Sequence, residues 1–181
     1  MKTVALFGGS FDPPHLGHIA IVDRLKALDY IDRIIIMPTY LNPFKSDFCA
    51  PAHLRLAWLK KIFQGETKVE VSSFEVDMGR KVPTIESVEY LLQKYDQIYV
   101  VIGADNLASL KQWKEYERLQ KLVKFIVATR NNIPVDDFIT LSIQHDISST
   151  QLRQHIDVKY LPKICATEIY NYYKDFHAKK N

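Results

Sequence analysis

The sequence predicts an α/β protein built on a doubly wound parallel sheet. Three observations carry that prediction. Short β-rich apolar runs alternate with amphipathic stretches along the chain, the pattern of repeated strand–helix units. Three of the runs, Ile34-Ile35-Ile36, Tyr99-Val100-Val101-Ile102 and Phe125-Ile126-Val127, are apolar without alternation, as in strands covered by helices on both faces. A Pro-rich polar stretch, 38–51, follows one of the strands, and loops at strand carboxyl ends are where such sheets bind ligands.

The elements follow in order. A strand at 3–7 (Thr3-Val4-Ala5-Leu6-Phe7) runs into the Gly-rich turn Gly8-Gly9-Ser10-Phe11-Asp12-Pro13-Pro14 and then a helix at 16–28. A strand at 33–37 precedes the polar loop and a helix at 50–63; a short strand is expected at 69–71. The helix at 84–94 has Pro83 before it and Glu86 in its first turn, where a carboxylate suits the helix dipole. Strands at 97–102 and 124–128 flank a helix at 115–122. Ser148, Ser149 and Thr150, all strong N-cap types, open a short helix at 149–155, and a last helix is expected at 166–176. No repeat, low-complexity tract or linker divides the chain, so residues 1–181 are read as one domain, long enough to bury a substantial core.

Composition narrows the class. The chain is 47% hydrophobic and 25% charged with net charge +3, which is ordinary for a soluble protein and too weakly basic to argue for a nucleic-acid partner. The Lys179-Lys180 pair reads as a solvated end. Cys49 and Cys165 stand far apart with no CxxC spacing, the usage of a reducing compartment. No apolar run is long enough to cross a bilayer, and the N-terminus leads directly into a strand, which predicts no signal peptide. The expectation is a cytoplasmic protein without a membrane partner. Oligomeric state stays open.

Two constellations carry chemistry. In the first, Gly8 and Gly9 let backbone approach a ligand closely, and the helix start behind them offers amides to an anion such as phosphate. His15 and His18, three residues apart, share one face there. Their spacing also suits half a zinc site, but no third ligand with sensible spacing is apparent, so no protein-held metal is expected. The turn is neither a Walker A loop nor a GxGxxG fingerprint. In the second, Ile147-Ser148-Ser149-Thr150-Gln151-Leu152-Arg153 combines hydroxyls, helix amides and an arginine fork one turn on. By itself this reads first as a plain helix cap, since a capped helix with one arginine is common.

Together the two motifs resemble the nucleotidyltransferase superfamily built on an (H/T)xGH motif, with its distal ISSTxxR element. His15-Leu16-Gly17-His18 and Ile147–Arg153 stand in the family's order and separation. Ile102-Gly103-Ala104-Asp105-Asn106 with Leu110-Lys111-Gln112-Trp113 resembles its GAD…W block. Pro38-Thr39, Asn42-Pro43-Phe44-Lys45 and Ala52-His53-Leu54-Arg55-Leu56 resemble the segment after its second strand. Within the superfamily the chain is most similar to the bacterial nicotinate-nucleotide adenylyltransferases, and the resemblance spans essentially its whole length. It implies a Rossmann-like sheet of the HxGH nucleotidyltransferase type, with adenylyl transfer from ATP to nicotinate mononucleotide giving deamido-NAD and pyrophosphate.

It further implies roles. His18 and His15 would donate at the reacting phosphates, with Lys45 and Arg153 neutralising charge. ATP would be held by Gly8, Gly9, Ser10, Phe11, His15, His18, Arg130, Ser149, Thr150 and Arg153. Ser10, Lys45, Thr84, Asp105 and Trp113 would hold the mononucleotide, Trp113 stacking on the pyridine ring and the Thr84 amide facing the nicotinate carboxylate. Mg²⁺ would ride on the ATP phosphates. The plain alternatives are a helix cap for Asp105, a core position for Trp113 and a surface position for Arg130. Val82-Pro83 stand where the family usually has Ser-Tyr, Lys114 where an aromatic or histidine is common, and Phe44 where histidine often precedes the lysine. An amide-preferring nicotinamide-nucleotide adenylyltransferase, a pantetheine-phosphate adenylyltransferase and a non-catalytic nucleotide sensor are the competing expectations.

Overall fold

The computed structural model describes residues 1–130, 135 and 137–178; the Lys179-Lys180 pair lies outside them. Among them, six strands, β1 (Thr3–Gly9), β2 (Arg33–Pro38), β3 (Val69–Val71), β4 (Gln97–Gly103), β5 (Val123–Arg130) and β6 (Ile139–Ile143), form one sheet in the order β3-β2-β1-β4-β5-β6. Every pairing is parallel. The order is the doubly wound, Rossmann-like one: β1 lies at the centre, and the chain reverses direction across the sheet between β1 and β4. The apolar runs are buried as their lack of alternation predicts, with Ile34, Ile36, Ile98 and Ile126 all at 0% exposure.

Among the described residues, seven α-helices surround the sheet: α1 (Leu16–Lys26), α2 (Ala52–Ile62), α3 (Phe74–Met78), α4 (Thr84–Leu92), α5 (Tyr116–Leu122), α6 (Ser149–Gln154) and α7 (Ala166–Ala178). One face of the sheet packs Leu6, Val100 and Val127 against Ile85, Val88 and Leu91 of α4. The other packs Ala5, Ile34 and Ile126 against Val22 and Leu25 of α1. A third cluster joins Trp58 of α2 to Ile147, Leu152 and Tyr173, tying α6 and α7 to the main body.

Several expectations are corrected. Strand β6, absent from the expected elements, is the edge strand beside β5, five residues long and partly exposed, and it alternates apolar and polar residues where the expected strands run apolar. Helix α3 and the 3₁₀ segment Ala104–Gln112 after β4 were also missed. The helix expected from residue 50 starts at Ala52, because Pro51 is held extended at its N-cap. The helix expected from 115 starts at Tyr116; Glu115 is left-handed, with φ 54°. The helices expected to end at 28, 94 and 155 stop at Lys26, Leu92 and Gln154.

Candidate active site

The carboxyl ends of β1 and β4 open into two neighbouring clefts at the sheet's switch point, the place where open α/β sheets bind ligands. The first, about 310 Å³, is lined by Leu6, Thr39, Glu75, Thr84, Ile102 and Trp113, among others. The second, about 540 Å³, gathers Ser10, Phe11, His15, His18, Lys45, Asp105, Arg130, Ser149, Thr150 and Arg153. Gly8, Gly9, Asn42 and Asn106 line both, so the β1 turn is the wall the two clefts share. Among the described residues, five buried side-chain polar atoms have no partner. Four belong to cleft-lining residues: Thr39, Glu75 and Trp113 in the first, and Thr129 in the second. Buried polar groups are almost always paired, so these four stand out among the residues around the clefts.

The two histidines are locked by the backbone of the helix they open. His15 is the N-cap of α1, and its Nδ1 accepts the Gly17 N–H at 3.1 Å. His18, at the third helical position, accepts the His15 N–H on its own Nδ1 at 3.1 Å. This is a capping box made of imidazoles, closing two of the helix's orphan amides. The rings stack with centroids 3.7 Å apart. A nitrogen that accepts an amide proton carries none itself, so each neutral ring keeps its proton on Nε2, as a donor. Burial, with the positive Arg130 nearby, pulls the His15 pKa down to about 3. Burial and His15 hold His18 well below its ordinary value. Both are therefore neutral N–H donors at neutral pH.

The same geometry explains the glycine of the motif. A Cβ on Gly17 would come within 2.8 Å of His15 Cε1 and 2.9 Å of its Nδ1, a clash with the ring that caps that very amide.

The second motif is folded onto the first. Ser148 takes the cap of α6, accepting the Gln151 N–H at 3.1 Å. The Ser149 hydroxyl donates to the Pro13 carbonyl at 2.9 Å. Arg153 donates to the Asp12 carbonyl at 2.8 Å and to Thr150 Oγ1 at 3.1 Å. The three hydroxyls thus divide into a cap, a clasp and an acceptor. Lys45 reaches over from the polar loop to Ser10 Oγ at 3.4 Å, its pKa lowered by desolvation and by Arg153.

The expected mononucleotide residues divide between the clefts. Thr84 and Trp113 line the first together. Thr84 opens α4 with no side chain capping it, so the helix's leading amides carry no side-chain acceptor. Asp105 does not join them. Its carboxylate is 88% exposed in the second cleft, 3.8 Å from Arg130, whose other nitrogen lies 3.8 Å from Asp146. Arg130 is thus a cleft residue rather than a plain surface one.

Sequence reasoning assigned nothing to Asp12 or Arg55. Asp12, 3% exposed, accepts the Cys49 and Ala50 N–H groups and the Tyr173 hydroxyl. Arg55, 1% exposed, donates to the carbonyls of Ser10, Thr39, Tyr40 and Ala50. Together they bind the β1 turn to the loop after β2. A charged residue on the apolar side of a helical pattern was the available signal for Arg55.

Residues 6–155 match the model of the cytidylyltransferase-like family. A relative from Sulfurimonas denitrificans named "Probable nicotinate-nucleotide adenylyltransferase" is 58% identical over 99% of both chains. A relative of the same name from Nitratiruptor sp. is 50% identical over 94% of this chain and 98% of its own. Among solved structures, the Plasmodium falciparum nicotinic acid mononucleotide adenylyltransferase complexed with NaAD superposes with a TM-score of 0.77, at 22% identity over 96% of this chain and 98% of that one. At that identity the likeness speaks for the fold. The chain belongs to the cytidylyltransferase-like family and, within it, to the nicotinate-nucleotide adenylyltransferases.

Proposed function

We propose that the chain joins the phosphate of nicotinate mononucleotide to the α-phosphate of ATP, forming deamido-NAD and releasing pyrophosphate, a step of NAD biosynthesis. The observation that carries the reading is the pair of clefts meeting at Gly8 and Gly9, one basic and lined by neutral imidazole donors, the other largely apolar with an aromatic wall. A triphosphate suits the first description and a pyridine nucleoside the second.

In the reaction a phosphate oxygen of the mononucleotide attacks the α-phosphorus. The bond from that phosphorus to the bridging oxygen breaks, and its electron pair leaves with pyrophosphate. The nucleophile is already an anion, so no general base is needed. Positioning and stabilisation of the charge that builds on the leaving group carry such a transfer. His18 and His15, held neutral with their protons on Nε2, suit the donor role at the reacting phosphates. Lys45, Arg130 and Arg153 supply positive charge around them. Gly8, Gly9, Ser10 and Phe11 bring backbone close to both substrates, while Ser149 and Thr150 lie with Arg153 at the phosphate end. Trp113 offers a face for the pyridine ring, and the α4 N-terminus at Thr84 favours an acid on that ring over a neutral amide. Asp105, placed with Arg130 in the second cleft, is read as a ribose contact there.

Mg²⁺ would come with ATP, held on its phosphate oxygens. Among the described residues, no three His, Cys, Asp or Glu side chains gather where they could hold a metal ion. No described helix is long and apolar enough to cross a membrane. One continuous sheet supports a single nucleotidyltransferase domain over residues 1–181, and we place it in the cytoplasm, where ATP is supplied. The test is pyrophosphate release with ATP and each mononucleotide. Release with nicotinate mononucleotide exceeding that with the amide supports the reading; no release with either overturns it.

A further inference from the structure

The loop after β2 sets two unlike side chains next to each other, one in each cleft. Its turn is fixed through backbone. The Phe44 N–H donates to Asn42 Oδ1 at 2.9 Å, the Lys45 N–H to the Asn42 carbonyl at 2.9 Å, and Lys81 Nζ to the Pro43 carbonyl at 3.4 Å. From that turn Phe44 lines the first cleft and Lys45 the second. Lys45 is engaged there by Ser10 Oγ, whereas Phe44 is 58% exposed. Single exposed apolar residues are ordinary on a protein surface. The other large ones among the described residues, Met1, Tyr30, Met78, Ile139, Val158 and Ile164, line neither cleft. Phe44 instead shares its cavity with Trp113 and with the apolar Val82, Pro83 and Ile102. An aromatic ligand held there takes exposed apolar surface out of water, which is favourable.

We propose that Phe44 is a specificity-determining residue for the mononucleotide: it packs on the pyridine ring in the cleft walled by Trp113, while its neighbour Lys45 meets the phosphate of the same substrate. This rests on adenylyl transfer with the pyridine end in the first cleft. A pyridine mononucleotide carries an aromatic ring at one end and a phosphate at the other. Residues 44 and 45 answer with an aromatic ring and an ammonium, held by one turn. An acceptor that carries the phosphate without the ring gains only the Lys45 contact. Because the turn is already fixed, little more than the Phe44 side chain has to be ordered on binding, and that preorganisation keeps the entropic cost of the contact small.

The experiment measures KM for nicotinate mononucleotide and for ATP, by pyrophosphate release, in the native enzyme and in Phe44→Ala, Phe44→Leu and Phe44→Tyr. Phe44 belongs to none of the three packed clusters, so the variants should melt with the native protein. Phe44→Ala is expected to raise the mononucleotide KM about tenfold, the scale of one lost stack between a base and an aromatic side chain, with the ATP KM staying within about twofold. Phe44→Tyr should restore the native mononucleotide KM, and Phe44→Leu should fall between. A mononucleotide KM within about twofold of native in Phe44→Ala overturns the proposal. So does an equal rise in the ATP KM or a parallel loss of kcat, the marks of a displaced turn and Lys45 rather than a lost ring contact. Trp113→Ala separates the two readings: a raised mononucleotide KM there, beside a native one in Phe44→Ala, leaves the pyridine site in place and removes Phe44 from it. Absence of pyrophosphate release from the native enzyme overturns the adenylyl-transfer reading itself, and the proposal with it.

Discussion

Replacing Gly17 by alanine should weaken both the fold and turnover, although a helical glycine-to-alanine change ordinarily stabilises. The new Cβ would sit 2.8 Å from His15 Cε1 and 2.9 Å from Nδ1. Carbon atoms in contact settle at about 3.5–4.0 Å, so the ring must retreat by roughly 0.7 Å or more. Its retreat is obstructed, because His15 is 5% exposed and stacked 3.7 Å from His18. Overpacking of this kind costs about 1–3 kcal/mol, and losing the cap on the Gly17 amide costs about 1 more. Alanine's helix propensity returns up to about 1 kcal/mol. The net is about 2 kcal/mol, or a Tm lower by roughly 4–8 °C for a chain of this size. Turnover should fall by about tenfold to a hundredfold, because both donors shift together. Thermal unfolding followed by circular dichroism and a pyrophosphate-release assay measure the two effects. The comparison is Gly8→Ala, whose Cβ would meet only the Met37 carbonyl at 3.8 Å; it should melt near the native protein while raising KM, since Gly8 lines both clefts. Gly17→Ala with native Tm and kcat, or equal Tm losses for the two variants, refutes the reasoning.

Other outcomes follow from the same geometry. His18→Ala should lower kcat by roughly a hundredfold, the loss of one preorganised donor; an unchanged kcat removes His18 from the chemistry. Trp113→Ala should mainly raise KM for the mononucleotide, and an effect confined to ATP contradicts stacking on the pyridine ring. For pH, the His15 pKa lies near 3 in the fold against 6.5 unfolded. The unfolded chain therefore binds more protons between those values, and stability rises with pH there. The contribution is complete above about pH 6.5 and is lost as pH falls toward 3, by at most about 1.4 kcal/mol per pH unit. Urea midpoints from pH 7 down to 4 measure it, and a His15→Asn variant with the same slope would refute the assignment.

The sequence displayed the covered central strands and the short edge strand β3, but not the edge strand β6. Strands β1, β2, β4 and β5 are buried on both faces, so nearly every residue in them is apolar and the run announces itself. Edge strand β6 carries Thr140 and Ser142 within five residues and has no such run. The 3₁₀ segment after β4 has neither helical nor strand period to detect. At the site, the pairs His15–His18 and Ser149–Arg153 were legible because each is local, and the fold brings the two motifs together as their resemblance implied. Asp105 was separated from Trp113 only by the path of the 3₁₀ segment between them, which seven intervening residues could not reveal. Asp12 and Arg55 escaped for a different reason. Each acts through partners that are distant in sequence or on backbone atoms, and residue identity records neither.

Those hidden residues explain how a turn can do precise work. The segment Ser10–Pro13 is held from every side by groups remote along the chain. Arg55 takes the Ser10 carbonyl, Arg153 the Asp12 carbonyl from 141 residues away, and Ser149 the Pro13 carbonyl. The Asp12 carboxylate in turn anchors the Cys49 and Ala50 amides and the hydroxyl of Tyr173, 161 residues on. Buried charges of this kind contribute little net stability compared with a well-packed apolar replacement, because their desolvation offsets most of the attraction. Their persistence here is better explained by position. Phosphoryl transfer between two anions offers no bond for a protein nucleophile to make, so its acceleration depends on where donors stand, and a displacement of about 1 Å can cost a hundredfold. A turn fastened at both carbonyl and carboxylate to α2, α6 and α7 keeps Gly8, Gly9 and the two histidines in register with both clefts at once.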